Sequence, residues 1–189
     1  YTVTWDTASA QGEIATSGVN PGSFSTTTLT GLLGATTYYA RVWTWDQYGL
    51  FSLLSEGATA QTRPFVPAGP AVAGVETASV TFSLAANGNG SDSLYVAEVS
   101  TDNFSTVNSS SQTANLSVVF GSGGAGLDLQ SNATYYFQVK ARNTNLLDSS
   151  YASAVSTVTD PATPADGSPV FTNVGATGLR FNWLAATNA

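Results

Sequence analysis

The chain has no cysteine, no histidine and no methionine in 189 residues. Without cysteine there is no disulfide frame and no thiolate metal site. Without histidine there is no Ser-His-Asp triad, no imidazole base and no usual zinc ligand. Without methionine the expectation is a fragment or a processed form of a longer product. Charge is scarce too: charged residues are 9%, with Lys+Arg 5 against Asp+Glu 12, a net charge of −7 and a pI near 4.1. Phosphate binding needs clustered Lys and Arg, so nucleic acid is excluded. The same balance argues against anionic membrane surfaces. No apolar run approaches the ~20 residues of a membrane span. No signal-peptide pattern opens the sequence.

What is present is apolar and aromatic. Hydrophobic residues make up 42% and aromatics 11%. That is too much for a disordered chain, which lacks the surface to bury. Ser, Thr, Asn, Gly and Ala then cover the exterior in place of charge. Strand signals dominate. The runs 1–5, 80–84, 95–99 and 179–183 alternate large and polar residues with period two. Turn-rich stretches at Asn20-Pro21-Gly22, 87–92 and 121–126 separate them. No segment shows a 3.6-residue stripe of helix length. Many short strands with frequent turns predict an all-β, antiparallel sandwich architecture.

The chain also repeats itself. Thr37-Tyr38-Tyr39-Ala40-Arg41-Val42 matches Thr134-Tyr135-Tyr136-Phe137-Gln138-Val139, 97 positions on. The same offset places Thr62 on Thr159, and Tyr1 falls on Tyr95 after a three-residue loop difference. A third partial copy aligns residues 75–84 with 174–183, 99 positions on. Proline-rich connectors at 63–70 and 160–165 mark the joins, since proline blocks ladder pairing and stiffens an extended link. The expected division is 1–62 as a partial module carrying strands C to G, 63–160 as a complete module, and 161–189 as a partial module carrying strands A and B.

The segment Leu32-Leu33-Gly34-Ala35-Thr36-Thr37-Tyr38 resembles the approach to strand F in fibronectin type III domains, and Leu129 to Tyr135 is a second copy. The usual Pro after the Leu is missing from both, and Ala133 replaces the residue found at Thr36. Trp183 stands where that family buries a strand-B Trp, and Leu84 holds the place in the complete module. The resemblance implies tandem immunoglobulin-like sandwiches in which Tyr38 and Tyr135 are structural corner residues. Their rings would be buried and their hydroxyls tied to nearby backbone.

Alternation then turns Ala40, Val42 and Thr44 inward with Tyr38, and Tyr39, Arg41, Trp43 and Trp45 to the other face. On the neighbouring strand, Tyr1, Val3 and Trp5 are expected to face the core. Tyr39, Trp43, Trp45, Tyr48 and Phe51 therefore form the candidate interaction surface, because grouped exposed aromatics mark contact sites. Flat rings suit a sugar or a protein partner. The matching row in the complete module, Tyr136, Gln138, Lys140 and Arg142, is mostly polar, so the fold does not require the patch.

Other candidates are weaker. Gly123 to Asp128 matches one copy of a calcium-binding nonapeptide, but such sites need stacked copies. Residues 87–92 carry alternating oxygen ligands, which a flexible loop explains better. Asn89, Asn103, Asn108, Asn115 and Asn132 open Asn-x-Ser/Thr sequons. The twelve acids are expected singly on loops and outward strand positions, not paired for hydrolysis. No catalytic residue, metal or cofactor is implied.

The function read from the sequence is a non-catalytic repeat segment, extracellular or at the cell surface, acting as spacer or adhesion module. Its expected partners are neighbouring modules of the same or an identical chain, or an extracellular glycan. One alternative is a filament or sheath subunit in which the A–B strands of one chain complete the open module of the next. Another is an accessory array on a secreted polysaccharide-active enzyme.

Overall fold

The computed structural model describes residues 2–7, 15–18, 26, 28–44, 46–186 and 188, with 2–6 and 15–18 described by their backbone alone. These residues form strands and no helix. In order they are β1 (Thr2–Asp6), β2 (Ala15–Gly18), β3 (Thr37–Trp43), β4 (Ala58–Gln61), β5 (Ala68–Val75), β6 (Ser79–Ala85) and β7 (Leu94–Ser100). There follow β8 (Ser109–Thr113), β9 (Ser117–Gly121), β10 (Thr134–Arg142), β11 (Val155–Val158), β12 (Ala165–Thr172) and β13 (Arg180–Leu184). All named strand pairs are antiparallel. The expected Tyr1, Val3 and Trp5 side chains lie outside the described residues.

By compactness the chain groups into two units. The first takes Tyr1–Pro67, Ala86–Leu94 and Lys140–Ser150; the second takes Ala68–Ala85, Tyr95–Val139 and Tyr151–Ala189.

The first unit holds a four-stranded sheet in the order β2-β1-β3-β4. Register sets Val3 opposite Val42 and Trp5 opposite Ala40. Tyr38 is buried, but Ala40 and Val42 are only half-buried and Thr44 is exposed. Thr44 was expected inward. It lies one residue past the end of β3, where the alternation of the ladder no longer applies.

The loop 86–93 is not free, contrary to expectation. Asn89 Oδ1 accepts the Phe65 N–H at 2.7 Å, and its Nδ2 donates to Phe65 O at 2.9 Å and Ala86 O at 2.8 Å. Backbone bonds Gly34 N–H to Gly88 O (3.0 Å) and Gly90 N–H to Gly34 O (2.8 Å) hold the loop to residues 31–36. Gly34 must be glycine here. A Cβ would come within 2.6 Å of Asn89 Oδ1 and 2.9 Å of the Phe65 nitrogen.

The second unit is a sandwich with a core of apolar side chains. A three-stranded sheet, β5-β6-β9, faces the sheet β11-β10-β7-β8. Period-two alternation buries Val80, Phe82 and Leu84 on β6, Val118 and Phe120 on β9, and Tyr135, Phe137 and Val139 on β10. Phe82 stacks on Phe137 at 5.7 Å, and Phe120 meets the same ring at 5.7 Å and 45°. Full burial of each such side chain contributes ~1.5–3 kcal/mol. Glu98 on β7 is buried as well, although the acids were expected outside. Its carboxylate accepts from Gln138 Nε2 at 2.8 Å and from the Tyr151 hydroxyl at 2.9 Å. A buried carboxylate is tolerable only with such donors.

The hairpin β12-β13 shows the opposite. Phe171 pairs with Phe181 in register, and the rings of Phe171, Phe181 and Trp183 follow one another at 5.5 and 5.8 Å. All three are exposed, Trp183 at 61%. Trp183 was expected as a buried strand-B residue. Among the described residues β13 pairs only with β12, and the exposed rings show that this face of the hairpin is uncovered.

Candidate interaction surface

The aromatic row on β3 is set by alternation, but among the described residues its members do not form one patch. Trp43 meets Phe51 edge-on, with ring centroids at 6.0 Å and an interplanar angle of 72°. That contact half-buries Trp43, which was expected to stand outward. Its indole Nε1 is buried and has no hydrogen-bond partner among the described residues. Trp45 lies outside the described residues. Tyr48 is exposed at the tip of the following hairpin. Tyr39, half-buried, belongs elsewhere. It lines a cavity of about 440 Å³ with Leu33, Thr36, Thr37, Ser91 and Asp92. So one pair, Trp43 and Phe51, is brought together, while Tyr39 and Tyr48 make no ring pair among the described residues.

The hairpin that carries Tyr48 and Phe51 is built on Asp46. Asp46 Oδ1 accepts the N–H groups of Tyr48 (2.8 Å) and Leu50 (3.0 Å), and its own N–H donates to Leu50 O (3.0 Å). Gly49 takes the left-handed conformation, φ 79°, that this turn needs. Ser52 closes the base by accepting the Thr44 N–H on its hydroxyl at 3.0 Å.

The two corner tyrosines sit in matching frames. Tyr38 Oη accepts the Leu33 N–H at 2.8 Å, and Tyr135 Oη accepts the Gln130 N–H at 2.9 Å, five residues upstream in each case. A threonine completes each corner. Thr62 Oγ1 accepts the Thr36 N–H (3.0 Å) and donates to Leu33 O (2.6 Å). Thr159 Oγ1 accepts the Ala133 N–H (3.0 Å) and donates to Gln130 O (2.6 Å). The threonines carried a sequence signal, the shared offset, but their bonding was not legible from it.

Comparison with solved structures points the same way. A two-domain fibronectin type III segment of chicken tenascin is similar over 84% of this chain and 83% of its own, with a TM-score of 0.57 and 16% identity. The fold is that of tandem fibronectin type III domains. The chicken CNTN1 FN1–FN3 domains match 84% of this chain and 55% of theirs, at 15% identity and a TM-score of 0.46. A fibronectin type III domain of human fibronectin type III domain containing protein 3 matches 55% of this chain and 92% of its own, at 18% identity and 0.45. No sequence-family profile and no curated protein matches.

On β10 the equivalent row replaces the aromatic pair with charge. Lys140 Nζ lies 2.9 Å from Asp148 Oδ2, and the Arg142 guanidinium reaches the same carboxylate through Nε at 2.6 Å and Nη2 at 2.9 Å. The bidentate Arg142 bond, aided by Lys140, holds the Asp148 carboxyl well below the usual carboxylate range. Lys140 and Asp148 occupy the positions of Trp43 and Phe51, each 97 residues on.

The remaining motifs resolve individually. Gly121 and Gly124 belong to a backbone turn in which Gly124 N–H donates to Gly121 O at 2.9 Å. Among the described residues no group of three acidic side chains converges around a metal-sized space. Of the sequon asparagines, Asn89 is fully engaged with backbone, and Asn108 Oδ1 accepts from Thr101. Asn103, Asn115 and Asn132 are exposed.

Proposed function

We propose that this chain is a non-catalytic repeat segment working outside the cytoplasm as a spacer or adhesion module. Its modules are 1–62, 63–160 and 161–189. One observation carries the reading: the same tyrosine–threonine corner recurs at Tyr38/Thr62 and Tyr135/Thr159, each closing the same strand-to-strand connection. Repetition of a structural device suits a part whose task is length and presentation. The aromatic Trp43–Phe51 pair and the Tyr39 cavity supply the contact surface for a neighbouring module or a glycan.

Pulling the chain between two handles in a force spectrometer tests the spacer role. Discrete unfolding peaks are expected; extension without a resolvable peak would exclude a mechanical role. A glycan array read with the wild type and Trp43→Ala tests the adhesion arm.

A second reading, a filament subunit, is favoured by the exposed Phe171, Phe181 and Trp183 ladder. There the β12-β13 face of one chain would cover the half-buried Ala40 and Val42 face of β3 in another. Trp183→Ser should then abolish assembly in sedimentation.

A further inference from the structure

The cavity of about 440 Å³ beside Tyr39 lies wholly within the first unit. Its volume falls in the range of small-ligand sites, roughly 300–1,000 Å³. Two stretches far apart in sequence make its walls. One is β3 with the residues leading into it, which bring Leu33, Thr36, Thr37 and Tyr39. The other is the loop that brings Ser91 and Asp92.

Backbone fixes both walls. β3 runs between β1 and β4, with Tyr39 opposite Asp6 on one side and Thr59 on the other. The loop wall is a four-residue turn, Gly90–Ser93, closed by the Ser93 N–H on Gly90 O at 3.1 Å. Ser91 and Asp92 are its two central residues. The walls are joined where they meet. Gly34 forms a parallel bridge with Asn89, and Gly90 N–H donates to Gly34 O at 2.8 Å. Thr36 Oγ1 donates to the same carbonyl at 2.9 Å. The approach is so close that a Cβ on Gly90 would lie 2.5 Å from Thr36 Oγ1. The cavity is therefore formed before any ligand arrives, which spares a ligand the cost of ordering its site.

Its polar groups have capacity to spare. Among the described residues the hydroxyls of Thr37 and Tyr39 bond to nothing. The Asp92 carboxylate meets only the Ser91 hydroxyl, at a long 3.4 Å, and no cation. Two free hydroxyls, a carboxylate with open acceptor sites and one aromatic ring thus line a single space. A ligand that matches them must both donate and accept hydrogen bonds and must offer an apolar face to the ring. A sugar does all three. No lysine or arginine lines the cavity, so an acidic sugar or a phosphate would find no counter-charge. The carboxylate can accept from two neighbouring sugar hydroxyls at once.

The geometry points to this cavity as a binding site for a neutral glycan. Tyr39 supplies a ring and a hydroxyl, Thr37 a second hydroxyl, and Asp92 the strong acceptor. The inference rests on the adhesion arm of the proposed function and narrows it to one place and one class of sugar. The spacer role stands apart from it.

NMR titration of the full chain with neutral tetrasaccharides of glucose, mannose and N-acetylglucosamine tests the inference. At least one should bind and move the amide signals of residues 36–39 and 90–92. Asp92 is exposed, so Asp92→Ala should keep the dispersed spectrum of the fold and weaken binding about tenfold or more. Tyr39→Phe, which keeps the ring and the strand, should weaken it about threefold. An Asp92→Ala chain that binds like wild type, or no binding of any of the three sugars, would overturn the inference. Binding of spermidine in place of the sugars would assign the cavity to a cation and overturn it as well. Loss of sugar binding with Trp43→Ala but not with Asp92→Ala would move the sugar to the Trp43–Phe51 pair. That result would sink the inference and leave the adhesion reading intact.

Discussion

The hairpin after β3 and the hairpin after β10 have the same backbone and opposite chemistry. In both, an Asx side chain at the start accepts two N–H groups and a serine ties the base. Across this shared frame the first places Trp43 against Phe51, and the second places Lys140 and Arg142 against Asp148. Local hydrogen bonds fix the turn, so the side chains that cross the frame are free to vary. The strands that carry the hairpins differ in a second way. Phe137 and Val139 on β10 are fully buried, while their counterparts Ala40 and Val42 on β3 are half-buried. The tyrosines and valines recur in register but Ala40 stands where β10 has Phe137, and among the described residues only β10 has a second sheet over its inner face.

The largest effect that would break this comparison lies in the core. Phe137→Ala removes a ring that touches both Phe82 and Phe120, so it should cost roughly 3–5 kcal/mol in urea denaturation. The reciprocal Ala40→Phe on β3 should change stability by under ~1 kcal/mol, because the site is not enclosed. Equal effects would mean that β3 is covered in solution.

A smaller contrast concerns the Asx residues. Asn143 is wholly buried and serves two N–H groups and the Thr62 carbonyl. Its change to Ala should cost roughly 2–3 kcal/mol, since the freed groups have no water to turn to. Asp46 is exposed, and Asp46→Ala should cost under ~1 kcal/mol because water replaces the carboxylate. Thermal melts of the two variants give the ranking.

The smallest effect is electrostatic. The folded Asp148 carboxyl titrates below its unfolded value of 3.8 because of Arg142 first and Lys140 second. Its contribution is therefore complete above the unfolded value and is lost as pH falls below it toward the folded one. The group is partly solvated, so the ion pair contributes only ~0.5–1 kcal/mol. Wild type should lose that much between pH ~6 and pH ~2.5 relative to Asp148→Asn. The Trp43–Phe51 pair carries no such dependence, so Phe51→Ala should shift stability equally at both pH values.

Much of this was legible in the residues. Period-two alternation located β6, β7 and β13, and the 97-residue offset aligned the two corner tyrosines and the two threonines. The candidate surface was legible only in part. Alternation assigned Trp43 to one face of β3, but the ring that half-buries it comes from Phe51, across a turn. Glu98 reads as an outward acid until Tyr151, 53 residues away, closes over it. The 87–92 loop reads as free until Asn89 is seen to hold Phe65, 24 residues back.

Read alone, then, the chain dictates its strands, its turns and its repeat, because these rest on contacts between near neighbours and on a side-chain period. It also excludes thiolate and imidazole chemistry by composition. Which face of each strand is covered, and by what, was decided only in three dimensions. Burial depends on a second sheet or a distant loop arriving over that face. That is why the same Tyr-Tyr-x-x-Val run is sealed on β10 and half-open on β3.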